Sequence, residues 1–399
     1  MSQNEMDAWR REVVAFLDAN ARLRTGIDDW STSPIHASPE AEAEYFARCR
    51  SWQQTVFDAG FAGITWPVAF GGRGGAPWQQ AIYREAEGRY DVSSGFVAST
   101  ITLAGAALMT HASEAQQVRH LRPLLRADEV WCQLFSEPDA GSDLANLGTR
   151  AVSDGDEYVV DGQKVWTSGA HHADFGLLLA RTDPRAPKHR GITFFILDMH
   201  SEGVDVRPLR QMTGAAHFNE VFFHSVRVPR SQVVGEVDHG WAVARTVLAA
   251  ESAMVGGMQR FDAVAELTRL VRERGRANDP WIRQEFARVV TRERILGLMR
   301  ERLRSEVLRG DRPSIDGSAL KLLWSQAWSA RAEFAMTLLG PAGGAGADED
   351  AEYWQSQLLA KFGGAIGGGT DEIHRNHVGE RVLGLPPEPR LDRDRPWRA

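Results

Sequence analysis

The hydrophobic residues of this chain change period twice, which divides it into three regions. Residues 1–127 carry apolar side chains at helical spacing, with breaks at Thr25–Pro39 and at the Gly- and Pro-rich segment Trp66–Pro77. Residues 128–237 alternate with the period of two that is typical of strands, and residues 238–399 return to long helical segments. Because no helix-length segment interrupts the strands, the central sheet is predicted to be antiparallel. The order predicts an α+β multidomain protein.

The strands and helices are predicted from local patterns. Asp161-Gly162 separates the strand-like segments 157–160 and 163–167, which predicts a hairpin with an Asp-Gly turn. Further strands are predicted over 176–180, 191–197 and 221–228. In the last region, apolar residues at i, i+3 and i+4 predict bundle-forming helices. These run over 241–274, 281–308, 317–339 and 353–362.

Composition excludes several classes of function. The net charge is -7 and no basic block occurs, so the sequence does not predict a nucleic-acid-binding surface. Cys49 and Cys132 form no ligand or redox motif, which favours a reducing compartment. The first residues lack a signal-peptide pattern, and the most apolar window, Gly95–Met109, is too short for a bilayer span and predicts a buried helix. We therefore expect a cytoplasmic protein without a membrane segment.

One carboxylate lies on the apolar stripe of a predicted helix. The i±3 and i±4 neighbours of Glu251 are apolar: Val247, Leu248, Met254 and Val255. A glutamate on that stripe points inward, and desolvation would raise its pKa, which suits a general base working near neutral pH. The alternative is a structural ion pair with an arginine, for example Arg245.

A glycine-rich segment, 363–369, leads directly into a predicted helix start. Thr370 is a good N-cap residue, and Asp371 and Glu372 in the first turn suit the helix dipole. Free N–H groups at such a start can hold an anion or a polarised ligand edge. The alternative is a glycine linker followed by a capped helix.

Two further segments offer hydroxyl groups beside turns. In 133–143 an apolar strand ends in Ser136, and Gly141-Ser142-Asp143 closes a turn; the alternative is an ordinary β-turn. In 166–170, Trp166 can stack on a planar cofactor while Thr167 or Ser168 bonds its heteroatoms; the alternative is a core tryptophan.

No metal site or nucleotide fingerprint is predicted. The pairs His171-His172 and His374/His377 lack partners of ligand spacing, and no Gly-x-Gly-x-x-Gly segment joins a strand to a helix.

Taken in order, these segments resemble the acyl-CoA dehydrogenase family over nearly the whole chain. The resemblance is carried by Gly60–Pro67 with Gly71-Gly72, Ser136–Asp143, Val165–Gly169, Arg210–Gly214, Phe218–Pro229, Gly240-Trp241 and Gly369–Pro387. It implies an N-terminal α-helical domain (1–127), a central antiparallel β-barrel-like domain (128–237) and a C-terminal four-helix bundle (238–399).

The resemblance also implies FAD, bound between the β domain and the C-terminal bundle and reaching into a neighbouring subunit. It implies that Leu134, Ser136, Trp166 and Ser168 face the flavin ring, and that Ser142 lies near the cofactor phosphates or the CoA. Thr370 and Glu372 resemble the family's flavin or ADP contacts, and Gly340-Pro341 resembles a segment contributed by the partner subunit. Gly141 and Thr167 complete the predicted cofactor-binding set.

The chemistry that the resemblance implies is α,β-dehydrogenation of an acyl-CoA. A carboxylate removes the α-proton and the β-hydride passes to the flavin. Most members carry the glutamate immediately before Gly-Thr of the C-terminal motif, where this chain has Gly368. Isovaleryl-type members carry it on the first helix of the C-terminal bundle, where Glu251 lies. The inward-pointing carboxylate of Glu251 thus accounts for the base that is missing at position 368.

Two departures from the family pattern indicate a divergent branch. Ser252 follows the glutamate where arginine is usual, and the Arg-x-x-Phe-Gly segment that touches FAD across subunits is not recognisable around Gly275–Trp281. Both departures favour an FAD site that is completed by a different partner chain. Ala249 and Ala250 would leave room for a bulky or branched acyl group.

The leading hypothesis is a dehydrogenase of lipid catabolism that passes electrons to an electron-transfer flavoprotein. It would act as a homo-oligomer, a dimer or tetramer, or as a heterotetramer with a related subunit. The alternatives are a flavin monooxygenase of the same fold and a non-catalytic subunit that completes another chain's FAD site. The acyl group stays open between branched, long-chain and steroid side chains.

Overall fold

The computed structural model describes residues 2–26, 29–31, 38–255, 262–311, 316–389 and 394–397. The chain forms two compact units. The helical unit comprises Met1–Ile35, Gly75–Val92 and Ser252–Pro386, and the sheet unit comprises His36–Gly74, Ser93–Glu251 and Pro387–Ala399. The N-terminal region thus contributes to both units, and the domain boundaries at 127 and 237 stay predictions.

The N-terminal region is helical, as its period predicts. The helical unit contains α1 (Gln3–Asn20) and α3 (Pro77–Glu87), and the sheet unit contains α2 (Pro39–Asp58), α4 (Gly95–His111) and α5 (Glu114–Arg126). Serine side chains cap three of these helices: Ser2, Ser38 and Ser113 each accept a hydrogen bond from the first turn. The apolar window 95–109 lies within α4, which is largely buried. Among the described residues, no helix is both long and apolar enough to span a membrane.

One sheet forms the core of the sheet unit. Its strands are β1 (Trp131–Leu134), β2 (Arg150–Asp154), β3 (Glu157–Ser168), β4 (Phe175–Arg181), β5 (Ile192–Asp198), β6 (Val204–Leu209), β7 (Phe218–Pro229) and β8 (Val233–Val234). Their order is β6-β7-β3-β2-β4-β5-β8, and β1 pairs with β4. The strands predicted over 176–180, 191–197 and 221–228 are confirmed as β4, β5 and β7.

The hairpin predicted at Asp161-Gly162 is wrong. Residues 157–168 form a single strand, β3, and the hairpin turn lies earlier, between β2 and β3. At Asp161-Gly162 the pairing of β3 with β7 shifts register, as at a β-bulge. Glycine is required there, because a Cβ at Gly162 would lie 2.5 Å from Thr149 Oγ1. The Asp161 carboxylate accepts a hydrogen bond from Ser225 N at 2.9 Å on the facing strand.

The sheet is antiparallel except where β1 and β2 pair with β4. Five strand pairs are antiparallel, whereas β1 runs parallel to β4 from Trp131↔Phe175 to Leu134↔Leu178, and a single bridge, Arg150↔Arg181, joins β2 to β4 in parallel. A parallel pair needs a long connection. The β2–β3 hairpin supplies that connection, because it lies between β1 and β4 in the chain.

The last region is helical. It contains α6 (Gly240–Val255), α7 (Ala263–Glu273), α8 (Pro280–Arg309), α9 (Gly317–Leu339), α10 (Pro341–Ala345), α11 (Glu349–Ile366) and α12 (Asp371–His377), followed by a π-turn (Val378–Val382). Residues 256–261 of the helix predicted over 241–274 lie outside the described residues. Asp262 caps α7 by accepting a hydrogen bond from Ala265 N. The core of α7, α8, α9 and α11 includes Leu270, Val289, Phe334 and Trp354.

Candidate active site

Glu251 lies near the C-terminal end of α6. The helix begins against β5, because a Cβ at Gly240 would lie 2.5 Å from Phe194 N. Val243 and Val247 are buried, and Glu251 follows on the same stripe, half-buried. Burial raises the pKa of Glu251, and a 3.5 Å hydrogen bond from Gln133 Nε2 opposes that rise. Among the described residues of the sheet unit no cation pairs with Glu251, and Arg245 is exposed. The structural ion pair considered from the sequence is therefore not seen in the described part of this unit.

Gln133 was not predicted as a site residue, and Leu134 was. Along β1 successive side chains point to opposite faces, so Gln133 faces Glu251 while Leu134 is fully buried in the core of the sheet. The Leu134 side chain thus packs within the sheet core, and its place beside a flavin ring stays a prediction. The signal was available in the sequence, because Gln133 is the polar residue in an otherwise apolar strand.

The segment after β1 forms a tight turn. Glu137 N donates to Ala140 O at 3.0 Å and Ala140 N donates to Glu137 O at 3.1 Å, so the ordinary turn considered from the sequence is present. Ser136 is half-buried, and its carbonyl accepts a hydrogen bond from Val165 N. Gly141 and Ser142 are exposed. The turn therefore leaves two hydroxyl-bearing positions, Ser136 and Ser142, at or near the surface of the unit.

Trp166 occupies a strained position in β3. Its φ of 61° is in the left-handed region, which a bulky residue rarely adopts, and the β3–β7 register shifts between Lys164 and Thr167. The indole is 60% exposed and meets Phe218 edge-on at 6.0 Å. The bulge therefore turns a large aromatic ring outward instead of into the core. Backbone strain of this kind concentrates at functional sites.

The two hydroxyl residues after Trp166 differ in burial. Ser168 is half-buried at the end of β3. Thr167 is 1% exposed, and its hydroxyl has no hydrogen-bond partner among the described residues. Buried hydroxyl groups are normally paired, so this one is a candidate donor or acceptor for a bound group.

A buried ion pair holds the segments that carry Ser136 and Trp166 together. Lys164 is fully buried, and its Nζ donates to Phe135 O at 2.9 Å and to Glu137 Oε1 at 2.7 Å. Glu137 also accepts from Gly148 N at 2.6 Å and Thr149 N at 3.0 Å. Burial opposes ionisation of Glu137, but Lys164 and these bonds hold its pKa below the ordinary value. Burial lowers the pKa of Lys164.

The remaining predicted site residues belong to the helical unit. Thr370 caps α12, accepting a hydrogen bond from Ile373 N at 3.2 Å, as predicted. Glu372 is exposed and pairs with Arg375, and Gly340 ends α9 with a φ of 60°. Asp371, beside the cap, accepts hydrogen bonds from the fully buried Lys321 and from Ser325.

The glycine-rich segment is only partly a turn. Gly363 and Gly364 lie inside α11, and a Cβ at Gly364 would be 2.6 Å from the Trp328 ring. Gly368 and Gly369 have φ values of 67° and 87°, so the turn is made at these two residues. Close helix packing explains Gly364, and left-handed backbone explains Gly368 and Gly369.

The two histidine pairs have different surroundings. His374 Nε2 is 2.8 Å from Gly368 O, which occupies it with the backbone. The pair His171-His172 has Glu42 of α2 beside both rings, a neighbour that the sequence pattern does not reveal.

Three family models match the chain in order. The N-terminal domain of acyl-CoA dehydrogenases matches residues 6–128, the middle domain residues 132–226 and the C-terminal domain residues 238–383. The chain belongs to the acyl-CoA dehydrogenase family. It is therefore an oxidoreductase that acts on a CH–CH group with a flavin acceptor, and its helical, sheet and helical regions are those of the family.

Relatives and solved structures support the family assignment. Acyl-CoA dehydrogenase IpdE1 of Mycobacterium tuberculosis (strain ATCC 25618 / H37Rv) is 36% identical over 358 residues, 88% of this chain and 91% of the relative. A structure described as the Tcur3481-Tcur3483 steroid ACAD has a TM-score of 0.80 at 28% identity, covering 97% of this chain and 99% of that one. The ChsE4-ChsE5 complex from Mycobacterium tuberculosis has a TM-score of 0.73 at 27% identity, covering 97% and 99%.

Acyl-CoA dehydrogenases bind FAD, and the residues of the sheet unit fit such a group. A planar ring system needs an aromatic surface and hydrogen-bonding groups at its edge. The outward-turned indole of Trp166 offers the surface, and the unpaired hydroxyl of Thr167 and the half-buried Ser136 and Ser168 offer polar groups. The unpaired buried hydroxyl of Thr167 and the left-handed backbone of Trp166 are the two observations that support this fit.

Proposed function

We propose that this acyl-CoA dehydrogenase oxidises an acyl-CoA thioester to the trans-2-enoyl-CoA with Glu251 as the catalytic base. The observation that carries the proposal is the half-buried Glu251 carboxylate on the apolar face of α6, bonded to Gln133 and without a cation partner in the sheet unit. At the position of the common family base the chain has Gly368, which cannot accept a proton.

The roles of the chain's own residues follow from their chemistry. Burial raises the pKa of Glu251, so its carboxylate binds a proton more readily than an exposed glutamate does. Gln133 donates to one carboxylate oxygen and leaves the other to receive the α-proton of the thioester. FAD, when bound, supplies the acceptor for the hydride that leaves the β-carbon. Trp166 would hold the ring plane in place, and Ser136 and Ser168 would bond its edge.

We propose a bulky polycyclic acyl group, such as a steroid side-chain thioester, as the substrate. The relative described as a steroid ACAD supports this class. Ala249 and Ala250, which immediately precede Glu251, are small residues and agree with a bulky acyl group.

We propose that the functional enzyme is an oligomer that includes a related partner chain and reduces an electron-transfer flavoprotein. Two structurally similar proteins are described by pairs of names, Tcur3481-Tcur3483 and the ChsE4-ChsE5 complex. The usual arginine after the glutamate is Ser252 here, and no Arg-x-x-Phe-Gly segment occurs around 275–281, which supports a cofactor site completed by another chain.

The test is anaerobic reduction of the FAD-loaded protein by a panel of acyl-CoA thioesters, with the flavin absorbance as readout. We expect steroid-type thioesters to bleach the flavin fastest. Glu251→Gln should lower the reduction rate by about 10²–10⁴-fold, the usual contribution of a general base, while the flavin stays bound. Glu251→Asp is the matched control: it keeps the charge but withdraws the carboxylate, and a displacement of about 1 Å costs about 10²-fold.

Two results would overturn parts of the proposal. Unchanged reduction in Glu251→Gln would remove Glu251 from the mechanism. Fastest reduction by short straight-chain thioesters would remove the substrate class and leave the base intact. A preparation that binds FAD only after addition of a partner chain would support the hetero-oligomer.

A further inference from the structure

Three side chains that bind metals well converge in the sheet unit. Glu42 lies on α2, and His171 and His172 lie on the 3-10 turn that follows β3. Glu42 Oε1 is 3.1 Å from His171 Nε2 and 3.9 Å from His172 Nε2. One ligand atom from each residue lies within 4.8 Å of the other two. None of these residues has a role in the proposed dehydrogenation.

The orientation of His171 is fixed by Asn219 of β7. Asn219 is fully buried, and its Nδ2 donates to Thr167 O at 2.9 Å and to His217 O at 3.2 Å, which points Oδ1 towards His171. His171 Nδ1 is 3.0 Å from that Oδ1. Nδ1 must therefore carry a proton, which leaves Nε2 free to act as a ligand. Metal-binding histidines commonly use such an outer hydrogen bond.

His172 presents an unpaired nitrogen to the same place. Its ring stacks on Phe46 with a centroid distance of 4.3 Å and an interplanar angle of 7°. Its Nε2 is buried and has no hydrogen-bond partner among the described residues, because Glu42 at 3.9 Å is too far.

Glu42 Oε1 faces a ring nitrogen of each histidine, at 3.1 Å for His171 and 3.9 Å for His172. Only the first distance is short enough for a hydrogen bond. A divalent cation would contact all three groups, including the buried His172 Nε2 that has no hydrogen-bond partner among the described residues.

We propose that Glu42, His171 and His172 bind a Zn²⁺ ion through one carboxylate oxygen and the two Nε2 atoms. Zinc takes these ligand types at about 2.0–2.1 Å in tetrahedral geometry, which separates two ligand atoms by about 3.4 Å. The two measured oxygen–nitrogen distances, 3.1 and 3.9 Å, lie on either side of that value. The ion would fasten α2 to the turn that follows Trp166 and Ser168, and a water or another ligand would take the fourth position.

The experiment is zinc binding by the purified full-length protein. After chelation and buffer exchange, calorimetric titration with Zn²⁺ should show one saturable site per chain. His172→Gln and Glu42→Gln should each weaken zinc binding at this site at least tenfold. Tenfold is the low end of the loss that follows removal of a group that only supports a metal ligand. His239→Gln is the matched control, because His239 is an exposed histidine that also lies beside a carboxylate, Glu236, and binding should be unchanged.

The absence of a saturable site in the wild-type protein would overturn the proposal and leave a Glu42–His171 ion pair. Wild-type affinity in both ligand variants would also overturn it, since the bound zinc would then lie elsewhere. If circular dichroism shows that a variant is unfolded, Co²⁺ binding to the wild-type protein becomes the deciding test of the zinc site. A saturable visible spectrum of four-coordinate cobalt that Zn²⁺ displaces supports the site, and its absence refutes it.

Discussion

Replacing Lys164 by methionine tests whether the buried ion pair with Glu137 supports the segments on either side of it. Methionine keeps much of the side-chain volume and removes the charge. Glu137 would then be an uncompensated carboxylate with a side chain only 10% exposed. Breaking a buried pair from one side destabilises a protein by about 3–5 kcal/mol. The carbonyl of Phe135 would also lose its bond from Nζ, which costs about 1 kcal/mol or more.

Two hydrogen bonds that remain in the variant keep the expected loss near the middle of that range. Glu137 retains its hydrogen bonds from Gly148 N and Thr149 N, and bonds to a charged group each contribute about 1.5–3 kcal/mol. We therefore expect Lys164→Met to lower the free energy of unfolding by about 4 kcal/mol near neutral pH. The double variant Lys164→Met/Glu137→Gln removes both charges and should recover about 2 kcal/mol of that loss.

The assay is urea unfolding followed by tryptophan fluorescence and circular dichroism, at two pH values. The folded-state pKa of Glu137 is lowered, so its contribution is present above the unfolded-state pKa and is lost as pH falls through the folded-state pKa. The difference between wild type and Lys164→Met should therefore shrink on going from neutral to acidic pH. A loss under about 1 kcal/mol, or a double variant no more stable than the single one, would refute the reasoning.

Three other perturbations have defined outcomes. Gln133→Leu removes the hydrogen bond that opposes the pKa rise of Glu251, so the acid limb of kcat/KM should move to higher pH; an unmoved limb would contradict this. Trp166→Ala should weaken FAD binding by about 1 kcal/mol, roughly fivefold, with Trp166→Phe closer to wild type; equal affinities in a flavin titration would contradict this. Lys321→Met leaves Asp371 without its buried cation and should cost about 3 kcal/mol in thermal or urea unfolding, whereas an unchanged midpoint would show that Asp371 tolerates the loss.

The fold could be predicted where hydrophobic period alone decides it. The two changes of period, the strands β4, β5 and β7 and the long helices α8 and α9 follow from local pattern, because each element buries one continuous face. Asp161-Gly162 shows where local pattern fails. The dipeptide favours a turn, but pairing with β7 and the close approach of Thr149 keep the strand extended and place a bulge there.

The candidate site was predictable in part for the same reason. Helical spacing alone places Glu251 on a buried stripe, and its burial in the structure agrees with that interpretation. The resemblance named Leu134 on β1 and did not name Gln133, the residue of that strand that meets Glu251. Strand alternation shows which residues share a face, but only the packed sheet shows which face is enclosed.

The cluster of Glu42 with His171 and His172 was beyond sequence analysis. Adjacent histidines offer no metal spacing by themselves, and the carboxylate comes from a helix far away in the chain. Nothing in the local pattern of α2 marks Glu42, because an acidic residue in the first turn is ordinary helix chemistry. Only tertiary packing brings the three groups together.

The position of the proposed base, Glu251, agrees with the backbone at the C-terminal turn. In this chain Gly368 and Gly369 both have left-handed φ values, 67° and 87°. A residue with a Cβ pays about 1–2 kcal/mol for that conformation, so a glutamate at 368 would have to alter the turn or strain it. A base on α6 removes that demand: Glu251 sits in regular helical backbone, and its orientation is set by the packing of Val243 and Val247. The turn before Thr370 then needs only to lead into α12. At the start of that helix, Lys321 and Ser325 hold Asp371 in place. The absence of the usual glutamate at 368 is therefore no argument against dehydrogenase activity in this chain.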